Sequence, residues 1–235
     1  MIYYGIHPVS ESIDSPRPPE RIYVQRGKQN PRIDSILAAA RQRGIATETV
    51  ADLDRRCGSG DHQGVAAELR QPLSKFLPDA HELGDRLLLM DSIQDPHNFG
   101  AALRVCDAFG FQDIIYHQGN SSGLTPAAVK VSAGAAFHLN LYISNLNSAV
   151  KRLHNAGYRI IALDAEGEQS IFTADFSSKF CLVIGSEGRG IRHNIRRQSD
   201  LTVSIPMAGR VSSLNVSCAL TAVLAEIAGR GLRHQ

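Results

Sequence analysis

Residues 183–190, Val-Ile-Gly-Ser-Glu-Gly-Arg-Gly, join an apolar run to a turn rich in glycine. Residues 95–104, Asp-Pro-His-Asn-Phe-Gly-Ala-Ala-Leu-Arg, and residues 205–215, Ile-Pro-Met-Ala-Gly-Arg-Val-Ser-Ser-Leu-Asn, also join a predicted strand to a predicted helix. Turns of this kind expose backbone amides and a few side chains at the edge of an α/β sheet. Three such turns in one sheet can meet at one pocket, so they predict an active site built by these segments.

From residue 86 onwards, apolar strands alternate with helical patterns. The predicted strands are 87–90, 113–117, 139–143, 159–163, 181–185 and 201–205, and the predicted helices are 98–109, 125–134, 145–156, 189–196 and 213–228. Strands that alternate with helices of this length indicate an α/β fold, in which a mostly parallel sheet is covered on both faces.

The amino-terminal third predicts a separate, smaller α/β unit. Its predicted strands are 21–25, 45–50 and 62–69, and its predicted helices are 34–43 and 52–56. Residues 10–20 hold three prolines and predict a loop, whereas residues 70–85 hold two prolines and few periodic apolar positions. These features predict a domain at 1–70, a linker at 71–85 and a second domain at 86–235.

Composition excludes several classes of protein. The 235 residues are 43% hydrophobic and 20% charged with a net charge of +2, which is typical of a globular protein. We find no apolar run long enough for a membrane span and no signal-peptide pattern, which predicts a cytoplasmic protein without membrane contact. Four widely spaced cysteines without a C-x-x-C pair argue against a metal site or disulfides. Cys106, Cys181 and Cys218 lie in apolar patterns and are expected to be buried.

Basic residues are concentrated just after Glu187. They are Arg189, Arg192, His193, Arg196 and Arg197. Such a run is either a solvated helix face or a surface that contacts phosphates, and the sequence leaves both interpretations open.

Glycine spacing rules out the common nucleotide motifs. Residues 185–190 read G-x-x-G-x-G rather than G-x-G-x-x-G, and no P-loop or G-x-S-x-G elbow is present. Asn98 is predicted to cap a helix, and Asn215 suits a helix start. Arg104 lies two turns into the first of these helices, where it either extends to solvent or binds an anion.

Together, the three segments resemble the signature motifs of the SpoU/TrmH family, the RNA ribose 2′-O-methyltransferases of the SPOUT superfamily. Asn98, Gly100 and Arg104 match the first motif, Glu187 matches the second, and Ser213-Leu214-Asn215 matches the third. Phe99 replaces a more usual leucine.

Three further segments extend the resemblance over nearly the whole chain. Residues 130–135 are similar to a family segment between the motifs. Residues 4–9 and 62–65 resemble the substrate-binding domain of the subgroup that modifies a guanosine in large-subunit ribosomal RNA.

The resemblance implies a fold and partners. The first domain would be a small ribosomal-protein-like α/β RNA-binding module, and the second a SPOUT domain ending in a trefoil knot. The knot would bind S-adenosylmethionine, and family members are homodimers whose active site borrows residues across the interface. The implied cofactor-binding residues are Gly185, Ser186, Ile205, Met207 and Leu214.

The resemblance also implies a reaction, the methylation of a guanosine ribose 2′-hydroxyl in 23S ribosomal RNA. Arg104 would bind a substrate phosphate and orient or deprotonate the hydroxyl, although a guanidinium that stays protonated makes proton removal awkward. The supporting catalytic residues would be Asn98, Glu187, Ser213 and Asn215. Candidate phosphate contacts in the first domain are Arg17, Arg21, Arg26, Lys28 and Arg32.

Three other functions remain open at this point. One is a transfer-RNA guanosine 2′-O-methyltransferase, although the transfer-RNA enzymes generally lack the amino-terminal domain. A catalytically inactive RNA-binding protein on the same scaffold has no need of all five motif side chains. A nucleotide-dependent oxidoreductase is disfavoured by the glycine spacing.

Overall fold

A computed structural model describes residues 1–119, 121–176, 179–211 and 213–233, with side chains up to residue 230. Ser212, in the third motif, lies outside the described residues. The chain forms two sheets, and the boundary between them falls near residue 70.

The first sheet is small and mixed. Its strands are β1 (Ile2–Tyr4), β2 (Arg21–Gln25), β3 (Ala46–Val50) and β4 (Val65–Glu68), and its helices are α1 (Ile6–Ile13), α2 (Pro31–Gln42) and α3 (Leu53–Cys57). The strand order is β1-β4-β2-β3, with β4 antiparallel to both of its neighbours and β2 parallel to β3. The loop predicted at 10–20 was wrong over its first residues, because Val9 and Ile13 belong to the buried side of α1.

The second sheet has eight strands. They are β5 (Ser74–Phe76), β6 (Arg86–Met90), β7 (Asp113–Tyr116), β8 (Asn140–Ile143), β9 (Arg159–Leu163), β10 (Gln169–Ser170), β11 (Phe180–Ile184) and β12 (Leu201–Ser204). Their order is β10-β12-β9-β11-β6-β7-β8-β5, and every described pair is parallel. The predicted α/β fold with a mostly parallel sheet is confirmed. The trefoil knot stays a prediction.

Helices cover both faces of this sheet. They are α4 (Pro96–Ala108), α5 (Pro126–Val131), α6 (Leu146–Asn155), α7 (His193–Arg196) and α8 (Val216–Arg233), with single 3₁₀ turns at Ala80–Glu82 and Ala135–Phe137. Leu88 and Met90 of β6 share a core with α4, α5 and α8, whereas Leu87 and Leu89 share a second core with α6 and α7. The alternation of side chains along a strand explains this division.

The segment predicted as a linker contributes to the second sheet. Ser74–Phe76 is the edge strand of this sheet and pairs with β8, with Ser74 opposite Leu141. Prolines at 72 and 78 flank this short strand, which is why its sequence is typical of a loop. The domain limits at 70 and 86 stay predictions.

The two domains share one continuous apolar core. The rings of Tyr3 and Phe137 lie 4.8 Å apart, between β1 and the turn after α5. Lys130 donates a hydrogen bond of 2.9 Å to the carbonyl of Asp61. At Gly134, a Cβ would lie 2.4 Å from Cβ of Glu11. The three segments that extend the family resemblance meet at this junction, since a Cβ on Gly5 would lie 3.3 Å from Oε1 of Gln63 and 3.6 Å from Cγ of Lys130.

The cysteines follow the prediction only in part. Cys106 and Cys181 are buried, and burial raises the pKa of both thiols. Cys218 is exposed on α8, so its predicted burial was wrong. No described helix is both long enough and apolar enough to cross a membrane.

Candidate active site

The three motif loops leave the sheet at one edge. They follow β6, β11 and β12, and because these strands are parallel, their carboxyl ends share that edge. In an open parallel sheet this is where ligands bind. The sequence prediction that the loops share a location is confirmed.

Asn215 connects the three loops. Its Nδ2 donates a hydrogen bond to Oδ1 of Asn98 at 2.9 Å and a second one to Oε1 of Glu187. Its Oδ1 accepts from the backbone N–H of Ser217 at 2.9 Å, which caps α8. Because Oδ1 must face that N–H, the amide's two donors are left to bind Asn98 and Glu187. We call these three residues the amide–carboxylate cluster.

Asn98 does not cap a helix, contrary to the sequence prediction. The helix α4 begins two residues earlier than predicted, where Asp95 accepts from the N–H of His97 at 3.0 Å and Pro96 occupies the first turn. Asn98 is left half-buried in that turn with its side chain on Asn215. Its function in the chain is therefore to join the first loop to the third.

Gly100 brings α4 close to α5. A Cβ at this position would lie 2.4 Å from the carbonyl oxygen of Ala128 and 2.9 Å from Cβ of Val131. Contacts this short do not occur in folded proteins, so the glycine of the first motif serves helix packing two residues from Asn98.

The second loop is a tight backbone turn. Ser186 and Gly190 exchange backbone hydrogen bonds of 3.1 and 2.9 Å. Gly188 and Gly190 have φ values of 79° and 65°, which favour glycine and prevent the helix predicted to start at 189. A Cβ on Gly185 would lie 2.1 Å from the carbonyl carbon of Gly190, so only glycine fits there.

A buried carboxylate holds the second loop to β6. Asp91 is fully buried, and its two oxygens accept from the backbone N–H of Arg192 at 2.8 Å and from Nε of Arg192 at 2.7 Å. A buried carboxylate with charge-assisted partners is strongly held. Asp91 was not among the predicted site residues, although an acidic residue directly after an apolar strand was a signal for it.

The basic run after Glu187 is divided by these contacts. Arg192 binds Asp91, and Arg196 lies 3.3 Å from Asp164 and 3.7 Å from Glu166. Arg189, His193 and Arg197 are exposed. Two arginines of the run therefore hold the structure together, and Arg189, Arg197 and the His193 imidazole remain on the surface beside the second loop.

The third loop presents apolar side chains to solvent. Met207, Val211 and Leu214 are 39%, 63% and 40% exposed, and Ser213 is exposed as well. Ile205 lies at the start of the loop, half-buried against the core. An exposed apolar loop beside a polar cluster is suited to binding a ligand with an apolar face.

Arg104 stands apart from the cluster. Its side chain is exposed, and within the described chain it has no hydrogen bond or ion pair. Six residues along an α-helix correspond to about 9 Å and about 120° of rotation, so Arg104 and Asn98 lie on different faces of α4. The structure thus brings together Asn98, Glu187 and Asn215 but leaves Arg104 free to bind an anion.

The three loops offer amide groups, one carboxylate and exposed backbone at one sheet edge, whereas the unpaired guanidinium of Arg104 lies apart from them on α4. The described residues contain no group of three or more His, Cys, Asp or Glu side chains that could hold a metal ion. These groups can position an anionic ligand and accept or hold a hydroxyl proton.

The chain is an α/β protein with two sheets, and its three motif loops share the carboxyl edge of the parallel sheet, where they form a candidate ligand site. Residues 85–225 match the model of the SpoU rRNA methylase family, and residues 2–74 match the model for RNA 2′-O ribose methyltransferase substrate binding. The chain belongs to the SpoU rRNA methylase family.

Individual relatives are similar over nearly the full length. The 23S rRNA (guanosine-2′-O-)-methyltransferase RlmB of Pseudomonas putida is 34% identical, with 95% of this chain and 94% of the relative covered. RlmB of Escherichia coli is also 34% identical, over 92% and 93% of the two chains. The crystal structure of the SpoU methyltransferase AviRb from Streptomyces viridochromogenes, in complex with AdoMet, superimposes with a TM-score of 0.80 at 25% identity, over 99% and 90%.

Proposed function

We propose that the chain methylates the ribose 2′-hydroxyl of a guanosine in 23S ribosomal RNA, with S-adenosylmethionine as the methyl donor. The observation that carries this proposal is the amide–carboxylate cluster, in which Asn215 joins one residue from each of the other two motif loops. The RlmB relatives support the RNA class, since their similarity extends through the substrate-binding domain. A cytoplasmic location follows from this substrate.

The second and third loops fit the cofactor. S-adenosylmethionine supplies an activated methyl group on a sulfonium sulfur, together with an adenine and an amino-acid moiety. The apolar side chains of Met207 and Leu214 suit an adenine face. Backbone at Gly185 and the side chain of Ser186, whose own peptide groups are bonded to Gly190, are the proposed contacts to its edge. Ile205 completes the proposed set at the start of the third loop.

The remaining residues orient the ribose. In this reaction the 2′-oxygen would form a bond to the methyl carbon while the carbon–sulfur bond breaks, with S-adenosylhomocysteine as the leaving group and the hydroxyl proton passing to water. Alignment of this in-line displacement is the protein's main contribution. Arg104 binds the phosphate beside the ribose, since a guanidinium pairs well with phosphate oxygens and stays protonated. Asn98, Glu187, Ser213 and Asn215 hold the loops that present the ribose and the cofactor.

The experiment that tests the function is methyl transfer from tritiated S-adenosylmethionine to 23S transcripts, followed by mapping of 2′-O-methyl positions. We expect one guanosine in 23S RNA to be modified. If only transfer-RNA transcripts became labelled, the substrate would be transfer RNA and not 23S RNA. Cofactor binding without label in either RNA would contradict the proposed methyltransferase activity.

We further propose that the active protein is a homodimer. Arg104 does not reach the amide–carboxylate cluster of its own chain, and the third loop exposes Met207, Val211 and Leu214. A second copy placed against this loop would bury that apolar surface and bring another Arg104 to the site. Multi-angle light scattering tests this proposal, and a monomer at the concentrations used for turnover would contradict it.

A cluster of cations in the first domain is proposed to bind RNA phosphates. Arg26, Lys28 and Arg32 are exposed and have no ion pair in the described chain, whereas Arg21 lies 2.9 Å from Glu48. Arg17 donates to the carbonyl of Leu73 and so helps to hold β5. Of the five phosphate contacts predicted from the sequence, three therefore remain without an internal partner in the described chain.

Replacement of Arg26, Lys28 and Arg32 by alanine should weaken RNA binding and flatten its dependence on salt. Each lost phosphate contact lowers the slope of log K against log salt by about 0.7 to 1, so the triple variant should lose about 2 to 3 units. Filter binding at 50–200 mM KCl measures the slope. Arg21→Ala is the control, because its charge is already paired with Glu48, and an equal change in both variants would contradict the assignment.

A further inference from the structure

Phe76 is the most exposed large apolar side chain of the described chain, with 87% of its surface accessible. It ends β5, the edge strand of the second sheet, and borders a cleft of about 350 Å³. Leu77 and Ile143 form the apolar part of this cleft, and His117, Asn145 and Arg152 are among its polar groups. Single exposed apolar residues are common, but this one is combined with a cleft and with donors.

The position of Phe76 is held by its neighbours. Ser74 Oγ and Tyr116 OH are 2.7 Å apart, and the N–H of Leu77 donates to the carbonyl of Ile143 at 3.3 Å. Arg152 donates to the carbonyls of Leu77 and Pro78, which directly follow the phenyl ring in the chain. The backbone on both sides of Phe76 is therefore bonded, and the ring is presented from a fixed platform.

The charges around the cleft favour an anionic ligand with an aromatic face. The charged side chain in its lining is that of Arg152, and none of its described lining residues is acidic. Asp79 lies outside the lining, exposed and 3.6 Å from Arg152. A second cleft of about 360 Å³ beside α7 differs, since Glu168 and Asp200 line it.

The cleft lies on the same sheet edge as the proposed active site. His117 follows β7, Asn145 follows β8 and Leu77 follows β5, so all three are at carboxyl ends. From β6 to β5 there are three strand spacings of about 4.8 Å, or about 14 Å. At about 3.4 Å per stacked nucleotide, that distance corresponds to about four nucleotides.

From this geometry we infer that the cleft binds a flanking nucleobase of the RNA substrate, stacked on Phe76, about four nucleotides from the methylated ribose. The phenyl ring stacks on the base, and Arg152 faces a phosphate. Nδ1 of His117 accepts a hydrogen bond from the N–H of Gly119 at 3.0 Å, so Nε2 of His117 is available to the edge of the base. The inference rests on the proposed action on RNA and adds a second contact point on the catalytic domain.

The test uses tryptophan fluorescence, because the chain has no tryptophan of its own. Phe76→Trp keeps a stacking surface and provides a single reporter, and Phe172→Trp is the matched control on a 58% exposed phenylalanine near the opposite end of the sheet. A full-length 23S transcript is titrated into both variants. We expect quenching at position 76 and little change at position 172.

Affinity provides a second measurement. Phe76→Ala should weaken transcript binding at least fivefold, the lower end of the range for loss of one stacked base, and should raise KM for RNA while cofactor affinity stays unchanged. Phe76→Tyr should restore binding, and Phe172→Ala should have no effect. Transcripts with single abasic nucleotides near the methylated guanosine should identify one position at which quenching is lost.

The outcomes separate this inference from the proposed function. Methyl transfer without quenching at position 76, or unchanged affinity of Phe76→Ala, overturns the base site alone. Quenching without methyl transfer supports the base site and overturns the proposed activity. A change in oligomeric state of Phe76→Ala on light scattering would show that a second copy covers the ring, and would overturn the inference.

Discussion

Arg104→Ala should abolish methyl transfer while the protein stays folded and binds its cofactor. Arg104 is exposed on α4 and has no partner within the described chain, so its loss removes no internal contact and should change the free energy of unfolding by less than about 0.5 kcal/mol. In the proposed mechanism, the guanidinium holds a substrate phosphate during transfer. Loss of a positioned charge of this kind typically lowers the rate by about 100-fold or more.

The rate of methyl transfer to a 23S transcript is measured in single-turnover experiments. Calorimetry measures the binding of S-adenosylhomocysteine. Arg104→Lys should recover little activity, because an ammonium lacks the planar pair of donors. Arg86→Ala is the matched control, since Arg86 is an exposed arginine at the amino end of β6, on the opposite edge of the sheet. Turnover of Arg104→Ala within threefold of the wild-type rate would rule out its assigned role.

Gly185→Ala should destabilise the second loop and prevent cofactor binding. The added Cβ would lie 2.1 Å from the carbonyl carbon of Gly190 and 2.3 Å from the nitrogen of Ile191, and both are backbone atoms that cannot rotate away. Overpacking costs about 1–3 kcal/mol, and two backbone clashes place this substitution at the upper end, about 3 kcal/mol. For a chain of this size, that cost lowers Tm by roughly 6–12 °C.

Thermal unfolding and calorimetric titration with S-adenosylhomocysteine test this prediction. Gly209→Ala is the control, because Gly209 lies in the third loop with no heavy atom within 4 Å of the added Cβ. It should keep the wild-type Tm. If Gly185→Ala retained both the wild-type Tm and cofactor affinity, the second loop would have to be more adaptable than its hydrogen bonds indicate.

The alternation of strands and helices could be predicted because it is local. Apolar residues at the spacing of a strand, followed by a capping residue or a glycine, specify the element at that place whatever lies elsewhere. The core strands of the second sheet were predicted to within one or two residues for this reason. The strand Ser74–Phe76 was missed, because three residues between prolines are too few to show the alternation of apolar and polar side chains typical of a strand. This segment forms a strand only by pairing with β8.

The composition of the site could be predicted in part. Asn98, Glu187 and Asn215 were expected to act together, and the structure joins them by hydrogen bonds. The position of Arg104 was not foreseen, because a residue's face on a helix matters only relative to neighbours that the sequence does not place. Ser213, Met207 and Leu214 lie exposed in the third loop, and their roles stay predictions.

The sequence by itself determined the core strands of the second sheet, the three turns and the family motifs within them, since each depends on residues close together in the chain. Only the tertiary structure decided which distant groups meet. Asn98 and Asn215 are 117 positions apart and Asp91 and Arg192 are 101 apart, so their contacts depend on the strand order β12-β9-β11-β6. That order is set by packing of the whole sheet between its two helix layers, and no local pattern encodes it.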